Sequence, residues 1–165
     1  MLSDTEEPVR FTPGKKHISF KIENATLICR LLEGEFLDWR RVLPESSPIR
    51  LTVNASRLAT VIERMSLVIS EKVKTPVRCI FGDQKADFHT ASTVGTAHDV
   101  CDIAGDGQNL EIGFNCRYLL DAIRAVPDDE VVLELTNALS PIVLSPCEKD
   151  GSYGYMVLPV RLKAE

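Results

Sequence analysis

The 165-residue sequence contains no apolar run near the ~20 residues that a membrane-spanning helix requires, so no membrane association is expected. It also lacks a CxxC pair. Its five cysteines are odd in number and widely spaced, which favours reduced thiols in a cytoplasmic protein over disulfides or a metal site. The acidic start, MLSDTEEP, has no apolar segment of the kind found in signal peptides.

An excess of positive charge is missing as well, since the formal net charge is −5. Proteins that bind nucleic acid by neutralising many phosphates are usually basic. If this chain meets DNA, a local positive surface or another device must be responsible.

Motifs of catalysis are also absent, because the sequence has neither a phosphate-binding glycine-rich loop nor a GxSxG elbow. The three histidines, His17, His89 and His98, show no ligand spacing. Cys116 stands in the first turn of a predicted helix, where a thiol pKa can fall, but no histidine accompanies it in sequence. We therefore expect a non-enzymatic protein without cofactor or metal.

What the sequence does contain is a repeat. LTVNASRLATVIERM begins at Leu51 and IGFNCRYLLDAIRAV begins at Ile112, and each joins an alternating strand to an amphipathic helix. Asn54 and Asn115 are 61 residues apart, and each is a good N-cap for the helix that follows it. The helices are predicted at about Ala55–Ile69 and Cys116–Val126.

Strands are predicted around both helices, with turns at Gly82-Asp83 and Gly105-Asp106-Gly107. In chain order these strands are Val77–Phe81, Ala86–Thr93, Thr96–Ile103, Leu110–Phe114, Glu130–Thr136, Pro141–Cys147 and Tyr155–Leu162. Three more are predicted at Pro8–Thr12, Lys16–Ile22 and Thr26–Leu32, without a preceding strand and helix. We expect an α+β protein of tandem βαβββ repeats, with antiparallel sheets and two helices packed on one side.

Each predicted helix carries two arginines seven residues apart, Arg57 with Arg64 and Arg117 with Arg124. Seven residues are close to two helical turns, so each pair lies on one face. Two interpretations stay open at this point. The arginines are either solvated side chains or a surface that meets a phosphate backbone without reading bases.

Three segments resemble the sliding clamp of bacterial replication, the beta subunit of DNA polymerase III. EGEFLDWRRVLP (33–44) is similar to that family's link between its second and third domains. NLEIGFNCRYLLDAI (109–123) is similar to its third-domain strand and helix, and YMVLPVRL (155–162) to its last strand. They occur in order at the expected separations, and the resemblance covers nearly the whole chain.

Members of that family have three such domains, and two subunits close a homodimeric ring around duplex DNA. The resemblance implies that residues 1–48 are the second half of the middle domain with its linker, and that residues 49–165 are the complete third domain. A fragment, a truncated gene product or an internal start at Met1 would each explain this. A ring holds DNA by topology, which agrees with the acidic net charge.

The resemblance implies that partners insert short linear motifs into an apolar groove between the middle and third domains. These partners are the DNA polymerase III alpha subunit, the clamp loader, other polymerases and repair proteins. The matching positions are Leu37, Arg41, Val42, Asn115, Tyr118, Leu139, Pro141, Met156, Val157, Leu158, Pro159, Val160 and Arg161, with Val73 as a further contributor. One wall of the groove belongs to a missing strand, so we expect peptide binding by this chain alone to be weakened or lost.

Two further surfaces follow from the same resemblance. The DNA-facing candidates are the helix arginines Arg57, Arg64, Arg117 and Arg124. The seam between subunits is expected along an edge strand equivalent to Val94–Asp102, with candidates Leu67, Val68, Thr96, His98 and Asp99. Competing interpretations are an oligomeric clamp-like domain that has lost ring closure, and a small enzyme on the same scaffold.

Overall fold

The computed structural model describes residues 8–38, 41–44, 46–69, 75–148 and 151–162. The chain divides into two compact units, residues 1–38 and 39–165. The predicted domains 1–48 and 49–165 stay a prediction. Within the described ranges, no helix is long and apolar enough to cross a membrane.

The first unit contains one three-stranded antiparallel sheet, in the order β1-β2-β3. Its strands are β1 (Arg10–Pro13), β2 (His17–Ile22) and β3 (Ala25–Arg30), close to the three predicted strands. None of the described residues of this unit is buried, and Phe11 and Ile28 are exposed. A hydrophobic core forms where a second layer covers the apolar side of a sheet. The described residues of the first unit provide no such layer, so this sheet has no hydrophobic core of its own.

The second unit alternates strands with two helices. Its elements are β4 (Ile49–Asn54), α1 (Ala55–Ser66), β5 (Val77–Ser92), β6 (Gly95–Phe114), α2 (Cys116–Arg124), β7 (Glu130–Leu135), β8 (Ile142–Ser145), β9 (Tyr155–Val157) and β10 (Pro159–Val160). The strands form a seven-stranded antiparallel sheet in the order β10-β6-β4-β7-β8-β9, with β5 also paired to β6. The predicted α+β class is confirmed.

Both helices begin directly after the asparagines that were predicted to be their N-caps. The side-chain oxygen of Asn54 accepts a hydrogen bond from the Arg57 backbone N–H at 3.0 Å. Asn115 accepts from the Arg117 N–H at 3.0 Å in the same way. Each bond satisfies one of the free amides of a first helical turn, so a short local signal fixes the start of each helix.

The helices lie side by side over a shared core. Ile62 and Met65 of α1 and Leu119 and Ile123 of α2 are buried in that core. The Arg124 guanidinium of α2 donates a hydrogen bond to Glu63 of α1 at 2.7 Å, which ties the helices together on the outside. The predicted pairing of the two helices is therefore confirmed.

Two predicted turns are wrong. Residues 77–92 form one strand, β5, and residues 95–114 form one strand, β6. At the first supposed turn, the register of this hairpin shifts between Phe81 and Asp83 and again between Asp83 and Lys85. The glycine–aspartate motifs therefore mark irregular points inside two long strands, because a β-bulge bends a strand pair without ending it.

Candidate functional site

The surface with most of the predicted groove residues lies where α2 meets the end of the chain. It holds a cavity of about 580 Å³, called here the α2–β10 cavity. The lining residues are Asn115, Tyr118, Asp121, Ala122, Gly154, Tyr155, Met156, Val157, Leu158, Pro159 and Val160. Seven of these were predicted from the sequence, namely Asn115, Tyr118, Met156, Val157, Leu158, Pro159 and Val160.

Helix α2 supplies one wall of the cavity. Its N-cap, Asn115, also accepts a hydrogen bond from the Tyr118 backbone N–H at 3.3 Å, which fixes the first turn. Leu119 and Ile123 face the core, whereas the Tyr118 side chain is 64% exposed. Sequence reasoning missed Asp121 and Ala122, which lie three and four residues after Tyr118 and so share its helix face.

The opposite wall is formed where the last strand changes partners. Val157 of β9 pairs with Ile142 of β8, whereas Pro159 of β10 pairs with Phe114 of β6. Leu158 lies at this switch and is 63% exposed, while its neighbour Val157 is buried. Since β9 and β10 pair with different strands, Leu158 between them is exposed to solvent, and it lines the same cavity as Tyr118.

This arrangement suits apolar ligands. An exposed apolar surface with polar groups at its rim is typical of sites that bind a partner's hydrophobic side chains. Leu158 and Tyr118 provide the apolar surface, and Asn115 and Asp121 provide polar groups.

The remaining predicted groove residues do not line this cavity. Leu139 is exposed and Pro141 half-buried near the β7–β8 connection, and Arg41 and Val42 lie before β4. Leu37 is exposed in the first unit. Val73 lies outside the described residues, and all of these assignments stay predictions.

A second and larger cavity, of about 1030 Å³, lies along the β5–β6 hairpin and is called here the β5–β6 cavity. Its lining residues are Thr75, Pro76, Arg78, Ile80, His89, Thr90, Ala91, Thr96, Ala97, His98, Val160, Arg161 and Leu162. Arg161, predicted for the groove, lines this cavity, and Val160 lines both.

Each of the four helix arginines has an acidic partner. Three of the ion pairs are Arg57 with Asp102 at 3.7 Å, Arg117 with Asp121 at 4.0 Å and Arg124 with Glu63 at 2.7 Å, and the fourth is Arg64 with Asp99. The arginines remain exposed, and such exposed pairs contribute only about 0–1 kcal/mol each to stability. The carboxylates offset part of the positive charge on this face, and its role toward DNA stays a prediction.

The predicted seam residues converge on one edge of the second unit. Arg64 of α1 pairs with Asp99 of β6, and the Ser92 hydroxyl donates a hydrogen bond to the Val68 carbonyl. Leu67 beside them is 82% exposed. Residues 95–102 pair with β5 on one side only, as far as the described strands go, and an open strand edge is what pairing with another chain requires. The seam itself stays a prediction.

Asp99 gives this edge a pH-dependent contribution to stability. The hydrogen bond from the Arg64 guanidinium holds the pKa of Asp99 below its usual value, and partial burial opposes that shift. Because the pKa of Asp99 is lower in the folded than in the unfolded chain, its ionised carboxylate stabilises the fold above about pH 4. This stabilisation is lost as the pH falls from there through the folded-state pKa.

We therefore expect Asp99→Asn to lower the free energy of unfolding by up to about 1 kcal/mol at neutral pH, and the deficit to shrink below about pH 4. Urea unfolding of both proteins across this pH range measures the difference. Asp83→Asn, which alters an exposed carboxylate of β5, is the matched control. A deficit for Asp99→Asn that is the same at every pH would contradict this account.

Cys116 lies at the start of α2, but its thiol is not activated there. Burial raises the pKa of the Cys116 thiol to about 11, and its Sγ donates a hydrogen bond to the Ile62 carbonyl at 3.5 Å. Desolvation of the thiolate therefore outweighs the helix dipole at this position. All five cysteines are free thiols, and Cys147 is the exposed one.

We expect iodoacetamide to alkylate the exposed Cys147 well before Cys79 and Cys116, which should stay unmodified until the chain unfolds. The thiolate is the reacting species, and burial both hides these two thiols and raises their pKa. Peptide mass spectrometry after timed labelling, with a urea-unfolded sample as control, gives the order. Early labelling of Cys116 in the folded protein would show that its environment is misassigned.

The comparisons with known sequences and solved structures identify the same family. The sequence model of "DNA polymerase III beta subunit, C-terminal domain" matches residues 40–161. The beta sliding clamp of Staphylococcus aureus (strain Mu50) is 31% identical over 163 residues, which are 98% of this chain and 43% of that protein. The chain thus spans less than half the length of this relative.

Solved structures agree. A proposed DNA polymerase III beta subunit from Eubacterium rectale superposes with a TM-score of 0.80 at 30% identity, covering 94% of this chain and 42% of that one. The DNA polymerase III subunit beta from Pseudomonas aeruginosa has a TM-score of 0.82 at 24% identity, covering 97% of this chain and 44% of its own. The second likeness supports the fold alone.

Proposed function

The chain belongs to the family of DNA polymerase III beta subunits, and we propose from this that it acts as part of a bacterial replicative sliding clamp. In this role it has no catalytic activity. It contributes to a homodimeric ring around duplex DNA and tethers DNA polymerase III and other partners for processive replication. The observation that carries the proposal is the exposed apolar surface formed by Tyr118 and Leu158 at the α2–β10 cavity.

The proposed ligand of this surface is a short linear motif with hydrophobic side chains. Motifs of this kind would come from the DNA polymerase III alpha subunit, the clamp loader, other polymerases and repair proteins. Burying one leucine or phenylalanine side chain stabilises a complex by about 1.5–3 kcal/mol, so a cavity that takes one or two of them supports useful affinity. The second unit supplies only part of the proposed groove, and we infer weak binding by this chain alone.

A fluorescent peptide of the QLxLF type tests the proposal by anisotropy. One titration uses this chain, and a second uses a chimera in which the preceding domains of the Staphylococcus aureus relative are joined to it. We expect the chimera to bind the peptide at least about tenfold more tightly than the chain alone, since ordered contacts are added on a second side. A scrambled peptide is the control for both titrations.

The alternative, a clamp-like domain that has lost the clamp role, predicts a different outcome. A chimera that is folded and dimeric by light scattering but has no affinity for the peptide would contradict the proposal. An Arg161→Ala chimera with unchanged affinity would remove Arg161 from the proposed groove and leave the α2–β10 cavity to be tested separately.

DNA binding on this proposal depends on topology rather than affinity. The net charge is −5, and the helix arginines are paired with carboxylates. We expect the chain to bind a linear duplex more weakly than about 0.1 mM at physiological salt, the weak end of non-specific protein–DNA affinities. Anisotropy with a labelled duplex measures this, and tight, salt-resistant binding would contradict the topological account.

A further inference from the structure

Asp87, His89 and His98 bring three metal-binding side chains together on the β5–β6 hairpin. His89 and His98 are direct cross-strand partners, and Asp87 precedes His89 by two residues, so all three project from the same face. One ligand atom from each lies within 4.8 Å of the other two. We propose that this cluster is a binding site for a divalent transition-metal ion of the zinc type.

The ligand set fits that chemistry. Two imidazoles and one carboxylate are ligands that Zn²⁺ accepts at about 2.0–2.2 Å, with a fourth position open to water. Neighbouring ligand atoms around such a tetrahedral centre lie roughly 3.4 Å apart. Nε2 of His98 is already 3.2 Å from Oδ1 of Asp87.

His89, the third ligand, can join the other two by side-chain rotation alone. The imidazole rings of His89 and His98 are stacked, with centroids 4.2 Å apart and an angle of 10° between their planes. Rotation about the side-chain torsions turns one ring nitrogen of each toward a common point, and neither side chain is locked in the core.

The charged side chains around the three ligands affect the affinity of the site for a cation. The guanidinium of Arg78, which lines the same cavity, is held by Glu111 at 2.6 Å. Arg161 also lines the cavity and opposes a cation there. Because Asp87 is the one carboxylate among the three ligands, the site has few charged ligands, and we expect micromolar rather than nanomolar affinity for zinc.

The local spacing along the chain does not reveal this cluster. His89 and His98 are joined by the register of a hairpin, not by a motif in sequence. A bound ion would bridge β5 and β6 across their outer face. It would stabilise the folded chain by linkage, since the unfolded chain does not hold the three ligands together.

Calorimetric titration of the 165-residue chain with ZnCl₂, with its thiols kept reduced, tests the site. We expect one ion per chain and a dissociation constant in the range of about 1–50 µM, with a rise in Tm of about 5 °C or more near saturation. His89→Gln and His98→Gln should each weaken binding by at least about tenfold. His17→Gln and Cys147→Ser, which alter an exposed histidine and the exposed thiol, should leave it unchanged.

Imidazole nitrogen resonances of the unmutated protein give a readout that does not depend on variant folding. Zinc should shift the ring nitrogens of His89 and His98 and leave those of His17 in place. Absence of saturable binding below about 100 µM, or equal loss of affinity in Cys147→Ser, would overturn the proposal. So would bound zinc that leaves the His89 and His98 resonances unmoved.

Discussion

Gly107→Ala is expected to lower the free energy of unfolding of the second unit by about 3 kcal/mol or more. Gly107 is buried inside β6, next to the point where the register of the β5–β6 pair shifts. A Cβ at this position would lie 2.4 Å from both the Cβ and the carbonyl oxygen of Phe81. Because Phe81 is in the core and one of the clashing atoms is backbone, no rotamer change relieves the contact.

Gly154→Ala is the matched control for this substitution. A Cβ there meets nothing within 4 Å, and we expect the free energy of unfolding to change by no more than about 0.5 kcal/mol. Urea unfolding followed by circular dichroism compares the two variants with the unmutated chain. Equal midpoints for the two variants would mean that β5 and β6 do not approach each other as described.

Leu158→Ala is expected to weaken the binding of a QLxLF-type peptide to the chimera by at least about tenfold. Loss of most of a leucine side chain from a buried contact removes up to roughly 1.5–3 kcal/mol, and about 1.4 kcal/mol corresponds to a factor of ten in affinity. Leu158 is 63% exposed in the free chain. Its truncation should therefore change the free energy of unfolding very little, which separates a loss of binding from a loss of folding.

Leu67→Ala provides the comparison for this effect. Leu67 is 82% exposed at the end of α1 and does not line the α2–β10 cavity. Its truncation removes the same number of methyl groups from a different surface, so peptide affinity should stay within about twofold of the unmutated chimera. Equal weakening by Leu67→Ala and Leu158→Ala would show that the peptide does not bind at the α2–β10 cavity.

The helices were predictable because their signals are local. Asn54 and Asn115 each combine an N-cap with an apolar stripe that begins at once, and no distant contact overrides these preferences. The same holds for the fold class, since two copies of one strand–helix unit require sheets that bury two similar helix faces.

The long hairpin was not predictable from the same kind of signal. Gly82-Asp83 and the glycines around Asp106 have the composition of turns, but cross-strand pairing over β5 and β6 continues through both places. Local sequence does not distinguish a bulge from a turn when the pairing of distant residues decides between them. The stacked pair His89 and His98 escaped prediction for the same reason, because it depends on register.

The candidate site was predictable in part. Seven cavity residues came from the resemblance to the clamp family, which no composition or periodicity would have singled out. Asp121 and Ala122 could have been found from helical spacing relative to Tyr118. The acidic partners of Arg57, Arg64 and Arg124 could not be found in this way, since they are distant in sequence. Asp99, for example, lies 35 residues after Arg64 and reaches it only through the fold.

The most direct test of the central claim is to map a bound QLxLF-type peptide onto this chain by NMR, with millimolar peptide to populate a weak complex. The account predicts amide shift changes concentrated at Tyr118 and at Met156, Val157, Leu158 and Val160, on the walls of the α2–β10 cavity. Shift changes confined to the β5–β6 cavity or to the first unit, with residues 156–160 unmoved, would contradict it.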